Sequence, residues 1–320
     1  MGKKKFIFLV GFLIFYHCTF SQEIISDTFH LSKTGTADYN ISSNRKWVAG
    51  GITAAYVTGS LVALNQSWYK GYTRTSFHTF DDKKEWLQVD KAGHGWSAYT
   101  FAKTSTAMWK WAGIKKNKSV WIGGISSLGF MTVIEFLDGY SAKWGWSWMD
   151  MAANIGGIGL YSAQELTWNE QRIQYKFSSH TKNYDASLQP RTNDLFGNRV
   201  TERLLKDYNN QTYWLSVNLK SFFKESNLPP WLNMAVGYGA EGMLGGFENA
   251  WTDKTGTMHN RYDIQRVRQF YISPDIDFTK IKTDKKAVKT LLEILSVIKM
   301  PAPALMLDSK GKFKAYALYF

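Results

Sequence analysis

The chain has 320 residues, of which 44% are hydrophobic, 16% aromatic and 20% charged, and its formal charge is +13. A mean hydropathy of −0.30 excludes a chain made wholly of membrane spans, and a single cysteine excludes an internal disulfide framework. The excess of Lys and Arg asks for an anionic counterpart or serves solubility alone.

The first 22 residues read as a secretory signal peptide. Lys3, Lys4 and Lys5 precede an apolar run over residues 6–16, and Ser21 and Gln22 follow it. The run is shorter than the ~20 residues of a spanning helix, which favours cleavage. Cys18, the only cysteine, falls inside this segment behind the bulky Phe15, Tyr16 and His17, and lipid anchoring calls for small residues there. Export removes nucleic acid as the partner and leaves membrane lipid or lipopolysaccharide as the counter-charge, with envelope proteins as further partners. The expected location is the periplasmic face or the outer membrane of a Gram-negative envelope.

Residues 23–46 are polar and suit an exposed linker. Residues 47–69 carry no charge and are long enough to cross a ~30 Å hydrocarbon layer or to form a buried helix. The small residues Gly50, Gly51, Ala54, Ala55, Gly59 and Ser60 would let another helix approach closely. Residues 71–88 mix charge and aromatic rings as a surface connection does, and His78 has no metal-type spacing. Helices are expected from Asp90 to about Trp111, from Ser119 to Asp138 and from Asp150 to Glu165, with Lys115, Lys116 and Lys118 in the first turn between them. Residues 139–145 should break the chain, and Trp144, Trp146 and Trp148 suit a membrane boundary. Gly156, Gly157 and Gly159 permit close packing of the last helix.

Beyond Arg172 the period changes from helical to alternating. Strands are expected near residues 212–219, 231–244, 270–281 and 313–320, with an amphipathic helix over 285–299 stopped by Pro301 and Pro303. The last of these strands resembles the closing strand of an outer-membrane barrel, a pattern that the last strand of a soluble sheet shares. The expected fold is α+β: a linker after the signal peptide, a membrane-associated bundle of about four apolar helices over 47–172, then a β-rich antiparallel region over 173–320 with one amphipathic helix.

A sparse polar set punctuates the apolar helices. Asp90 and His94 are four apart, so the carboxylate can orient the imidazole along one helix turn, while Lys91 points about 100° away. Glu135 and Asp138 are three apart at the end of an uncharged helix, where ionised carboxylates are expensive unless paired or hydrated. Ser147 and Asp150 have the spacing of a helix N-cap with an acid at its third position, and Asn154 is one turn further. If the three faces turn towards one another they form a polar site inside the bundle.

The residues Asp90-Lys91-x-x-His94, Glu135-x-x-Asp138, Gly145-x-Ser147-x-x-Asp150 and Asn154-x-Gly156 resemble the YfiM-like family of periplasmic or lipid-anchored envelope proteins, a domain of unknown function. The same order is similar, more distantly, to VanZ-like membrane proteins linked to glycopeptide resistance. Residues 206–216 and 237–242 look like a longer branch of the YfiM-like family with a C-terminal extension. The resemblance implies an envelope location and brings no activity and no cofactor.

Two functions compete. In the first, the polar set locks helices of a structural or scaffolding module. In the second, it serves a metal- or acid/base-assisted enzyme acting on a lipid headgroup or envelope glycolipid: His94 as base or ligand, Asp90 its orienter, Glu135, Asp138 and Asp150 as acids or ligands, and Lys91 on a phosphate. One histidine with several carboxylates suits a hard divalent cation, and the zinc-type spacings are absent. A passive lipid- or ligand-binding role is the third reading. A Ser147 nucleophile lacks the Gly-x-Ser-x-Gly turn.

Overall fold

The computed structural model describes residues 43–69 and 73–319. The signal peptide, Cys18 and most of the expected linker lie outside the described residues. Eight α-helices are present among them: α1 (Ser43–Leu64), α2 (Val89–Trp111), α3 (Lys116–Asp138), α4 (Trp148–Thr167), α5 (Gln189–Phe196), α6 (Val200–Lys206), α7 (Leu219–Phe222) and α8 (Lys286–Leu295). The strands are β1 (Ile173–Ser179), β2 (Gln211–Asn218), β3 (Leu232–Glu241), β4 (Ala250–Thr252), β5 (Met258–Asn260), β6 (Val267–Ile276), β7 (Ala302–Asp308) and β8 (Phe313–Tyr319). The described residues form two compact units, those within 43–81, 97–171 and 283–294 in the first and those within 82–96, 172–282 and 295–319 in the second, so that α2 contributes to both.

The first unit is helical. Its helices meet through Gly123 and Gly124: a Cβ at Gly123 would stand 2.3 Å from Thr106 Oγ1 and 2.7 Å from the Ala102 carbonyl of α2, and one at Gly124 3.2 Å from Ile158 of α4. The glycines expected to mediate packing behave differently, for nothing lies within 4 Å of a Cβ at Gly50, Gly51, Gly59, Gly156 or Gly159. The bundle also departs from the expectation of about four apolar helices. Two helices, residues Asn44–Leu64 and Lys116–Asp138, are long and apolar enough to cross a membrane. In α2 and α4 the residues Asp90, Lys91, His94, Lys103, Lys110, Asp150 and Glu165 break the apolar run.

Residues 73–81 zip against the break between α3 and α4. Thr75 N–H donates to the Tyr140 carbonyl at 2.9 Å and His78 N–H to that of Gly139 at 2.9 Å, while Phe80 and Trp146 bond their neighbours across the pair. Gly139 is required here, because a Cβ would meet the Phe77 ring at 2.4 Å.

The second unit is built on a six-stranded antiparallel sheet in the order β1-β2-β3-β6-β7-β8, with β4-β5 as a separate hairpin. The antiparallel sheet of the C-terminal region is therefore as expected, with β1 and β7 added, but α5, α6 and α7 stand there besides the one amphipathic helix expected. Register is tight along the longest pair, Leu232 opposite Ile276 through Glu241 opposite Val267. One face carries the core, where Trp214, Tyr271 and Tyr319 pack with Ala235, Ala304 and Met306. Gly237 makes room for this stack, since a Cβ would sit 2.6 Å from the Trp214 ring.

Candidate functional site

In the helical unit the sequence around Ser147 does what its spacing promises. Ser147 Oγ accepts the Asp150 N–H at 3.0 Å and so caps α4, satisfying one of the orphan donors of the first turn. The Ser147 N–H in turn points to Glu135 Oε2 at 3.4 Å, which brings the last turns of α3 to the start of α4. Glu135 and Asp150 are both buried, and each offers a carboxylate oxygen within 4.8 Å of the other. Asn154, one turn beyond Asp150 on the same face, is fully buried. Neither its amide oxygen nor its amide nitrogen has a partner among the described residues.

Two buried carboxylates at that separation repel strongly in a medium less polar than water. The arrangement is tolerable when a positive charge, a shared proton or a metal ion sits with them. An unpartnered amide beside them adds a neutral oxygen ligand or a hydrogen-bond donor.

Asp138 is held elsewhere. Although only three residues from Glu135, its Oδ1 accepts the Tyr69 hydroxyl at 2.9 Å. Burial, and then the Asp138 charge, push the Tyr69 hydroxyl far above its ordinary range, so it remains a donor. Trp144 stacks edge-on to Tyr69, and of the three tryptophans expected at a boundary only Trp148 is well exposed.

In the second unit, Asp90 and Lys91 open α2. Lys91 does not point away: its flexible stem returns the ammonium to Asp90 Oδ2 at 2.9 Å and to Asp82. Asp82, Glu85 and Asp90 also place carboxylate oxygens within 4.8 Å of one another, and Lys91 offsets part of that charge. The turn before α2 is left-handed at three consecutive side-chain-bearing residues, Trp86, Leu87 and Gln88 (φ 46°, 50° and 66°), which costs about 1–3 kcal/mol each. Trp86 N–H to the Gly246 carbonyl at 2.7 Å and Arg268 to Gln88 Oε1 at 2.7 Å hold it. His94 follows on α2, half-buried, one turn after Asp90.

Comparison with known families selects this stretch of the chain. Residues 78–164 match the model of DUF2279, a predicted periplasmic lipoprotein family. The match holds Asp90, Lys91, His94, Glu135, Asp138, Ser147, Asp150 and Asn154, and it supports an uncharacterised envelope family and an exported, envelope location. No curated protein and no solved structure matches the chain.

Outside the DUF2279 match lies a buried polar network that is absent from the sequence-derived candidates. Lys176 and Asp275 are both fully buried and paired at 2.7 Å. Ser216 donates to Asp275 at 2.6 Å, Asn233 to Ser216 at 2.9 Å and Asn218 to Asn233 at 2.8 Å. Gln174 reaches Asp277 at 2.7 Å. Lys299 also faces Asp275, at 3.7 Å, and burial lowers its pKa against the pull of that carboxylate. The signal was present as alternation: Gln174-x-Lys176-x-Ser178 and Ser273-x-Asp275-x-Asp277 put polar residues on one face of a strand.

Proposed function

We propose that this exported envelope protein carries a divalent-cation site in its helical unit, with Glu135 and Asp150 as carboxylate ligands and Asn154 as a neutral oxygen donor. The observation that carries the reading is the buried Glu135–Asp150 pair with oxygens within 4.8 Å. Carboxylate and amide oxygens suit a hard divalent cation such as magnesium, calcium or manganese. The role is structural: the ion ties the end of α3 to the start of α4, as part of an envelope scaffold. Thermal melting with and without a chelator tests it. A cation bound at a hundred times its dissociation constant adds about 2.7 kcal/mol, so chelation should lower the melting temperature of the parent protein and leave that of Glu135→Gln unchanged. Equal responses of both proteins would remove the site.

The Asn154 amide favours a second reading. An ion held by so few protein ligands keeps positions open for a phosphate or water, and Asn154 could steady a bound group, which is what hydrolysis of a lipid headgroup or envelope glycolipid needs. In that case Asn154→Ala would abolish turnover while the chelator-sensitive melting persists.

A further inference from the structure

The six-stranded sheet is patterned inside out. In antiparallel sheets that face water, apolar residues point to the core and polar ones outward. Here β6 buries Gln269, Ser273 and Asp275 along with Tyr271, and exposes Phe270 and Ile272. Its neighbours continue the pattern: β3 exposes Val236 (57%), β7 exposes Leu305 and Leu307, and β8 exposes Phe313 (63%). The pairings place Val236 opposite Ile272, Ile272 opposite Leu305, and Leu307 opposite both Phe270 and Phe313. The exposed side chains thus form one continuous surface across four strands. Beneath it, hydrogen bonds among Lys176, Asp275, Ser216 and Asn233 share the other face with the Trp214, Tyr271 and Tyr319 stack. An apolar exterior over an interior that holds buried charges and amides is the arrangement of a sheet whose outer solvent is hydrocarbon.

The charges around the surface fit one occupant. At the end of the sheet where β2 and β6 finish, Lys224 and Lys282 are exposed. At the opposite end, the β7–β8 hairpin carries Lys310 and Lys312, both exposed. Cations at both ends of an apolar patch match the phosphates that border an acyl layer, each lysine near such a surface adding to binding until salt screens it. The β1 edge of the sheet is also covered, since Phe177 bonds Val297 and Lys299 through its backbone.

We infer that the outer face of β3-β6-β7-β8 lies against the acyl chains of an anionic lipid leaflet, with the lysines at the strand ends on its headgroups. The inference is independent of the cation site.

The test places an environment-sensitive fluorophore at Ile272→Cys or Leu305→Cys in the full chain carrying Cys18→Ser, with Lys254→Cys in the β4–β5 turn as reference. Local labels are needed because helix α1 could bring the chain to vesicles by itself. With vesicles of phosphatidylethanolamine and phosphatidylglycerol, labels at 272 and 305 should shift to the blue and be quenched by brominated acyl chains, while the label at 254 stays aqueous. Lys310→Glu combined with Lys312→Glu should weaken the quenched fraction several-fold at low salt and much less at high salt. Ile272→Glu, an exposed site whose circular dichroism should match the parent, should prevent the blue shift at Leu305→Cys. Water-like emission at 272 and 305 on vesicle-bound protein would overturn the inference. So would a blue shift without quenching that grows with protein concentration, because a second copy would then cover the face.

Discussion

At the scale of single residues, burial decides which groups can be altered without loss. Asp275 faces two fully buried lysines, Lys176 at 2.7 Å and Lys299 at 3.7 Å. Removing one partner of a buried pair costs about 3–5 kcal/mol, because the remaining charge is stranded. Asp275→Asn should therefore lower stability by about that amount in a urea melt; a change below about 1 kcal/mol would show that water reaches the lysines. The tyrosine stack makes a second prediction. Tyr319 hydrogen-bonds Tyr271 at 2.8 Å and Thr212 at 2.9 Å, and burial raises its hydroxyl from 10.0 to about 12. A raised folded pKa means that its contribution is full below pH 10.0 and is lost as the pH climbs through about 12. A rise of that size corresponds to about 3 kcal/mol. Melting temperature should fall across that window, and more shallowly in Tyr319→Phe.

At the scale of elements, the cap of α4 carries the geometry of the site. Ser147→Ala removes the acceptor of the Asp150 N–H and should cost about 1 kcal/mol, read as a drop of a few degrees in melting temperature; Ser147→Asp should restore most of it. This cap was legible from Ser147 and Asp150 alone, because capping is a local rule of spacing. The three helices that bear Asp90, Glu135 and Asp150 were legible for the same reason. What escaped was set by contacts distant in sequence. The return of Lys91 to Asp82 depends on a left-handed turn at Trp86, Leu87 and Gln88 that no local preference predicts. The polar ladder of Gln174, Lys176 and Asp275 was hidden because alternation says which residues share a face and not which face is buried. Composition makes all four long helices look apolar, and two of them are not, because Lys110 in α2 pairs with Glu165 in α4.

At the scale of the whole molecule, the DUF2279 match directs the chain to the envelope, and the lipid contact inferred for the sheet is consistent with that location. Fractionated cells should yield it with the envelope and not with the cytoplasm; recovery in the cytoplasmic fraction would contradict the match as a guide to location. The two units have different character, helices joined through Glu135, Ser147 and Asp150 in one and a sheet whose aromatic core adjoins a buried polar network in the other. Elemental analysis of purified protein tests the cation site of the helical unit most directly. Parent protein should retain about one divalent ion per chain after extensive dialysis, and Glu135→Gln and Asp150→Asn should each lose it while keeping their helical circular dichroism. A parent protein free of metal that also fails to bind added divalent cations, or an ion content unchanged in both variants, would contradict a cation held by Glu135 and Asp150.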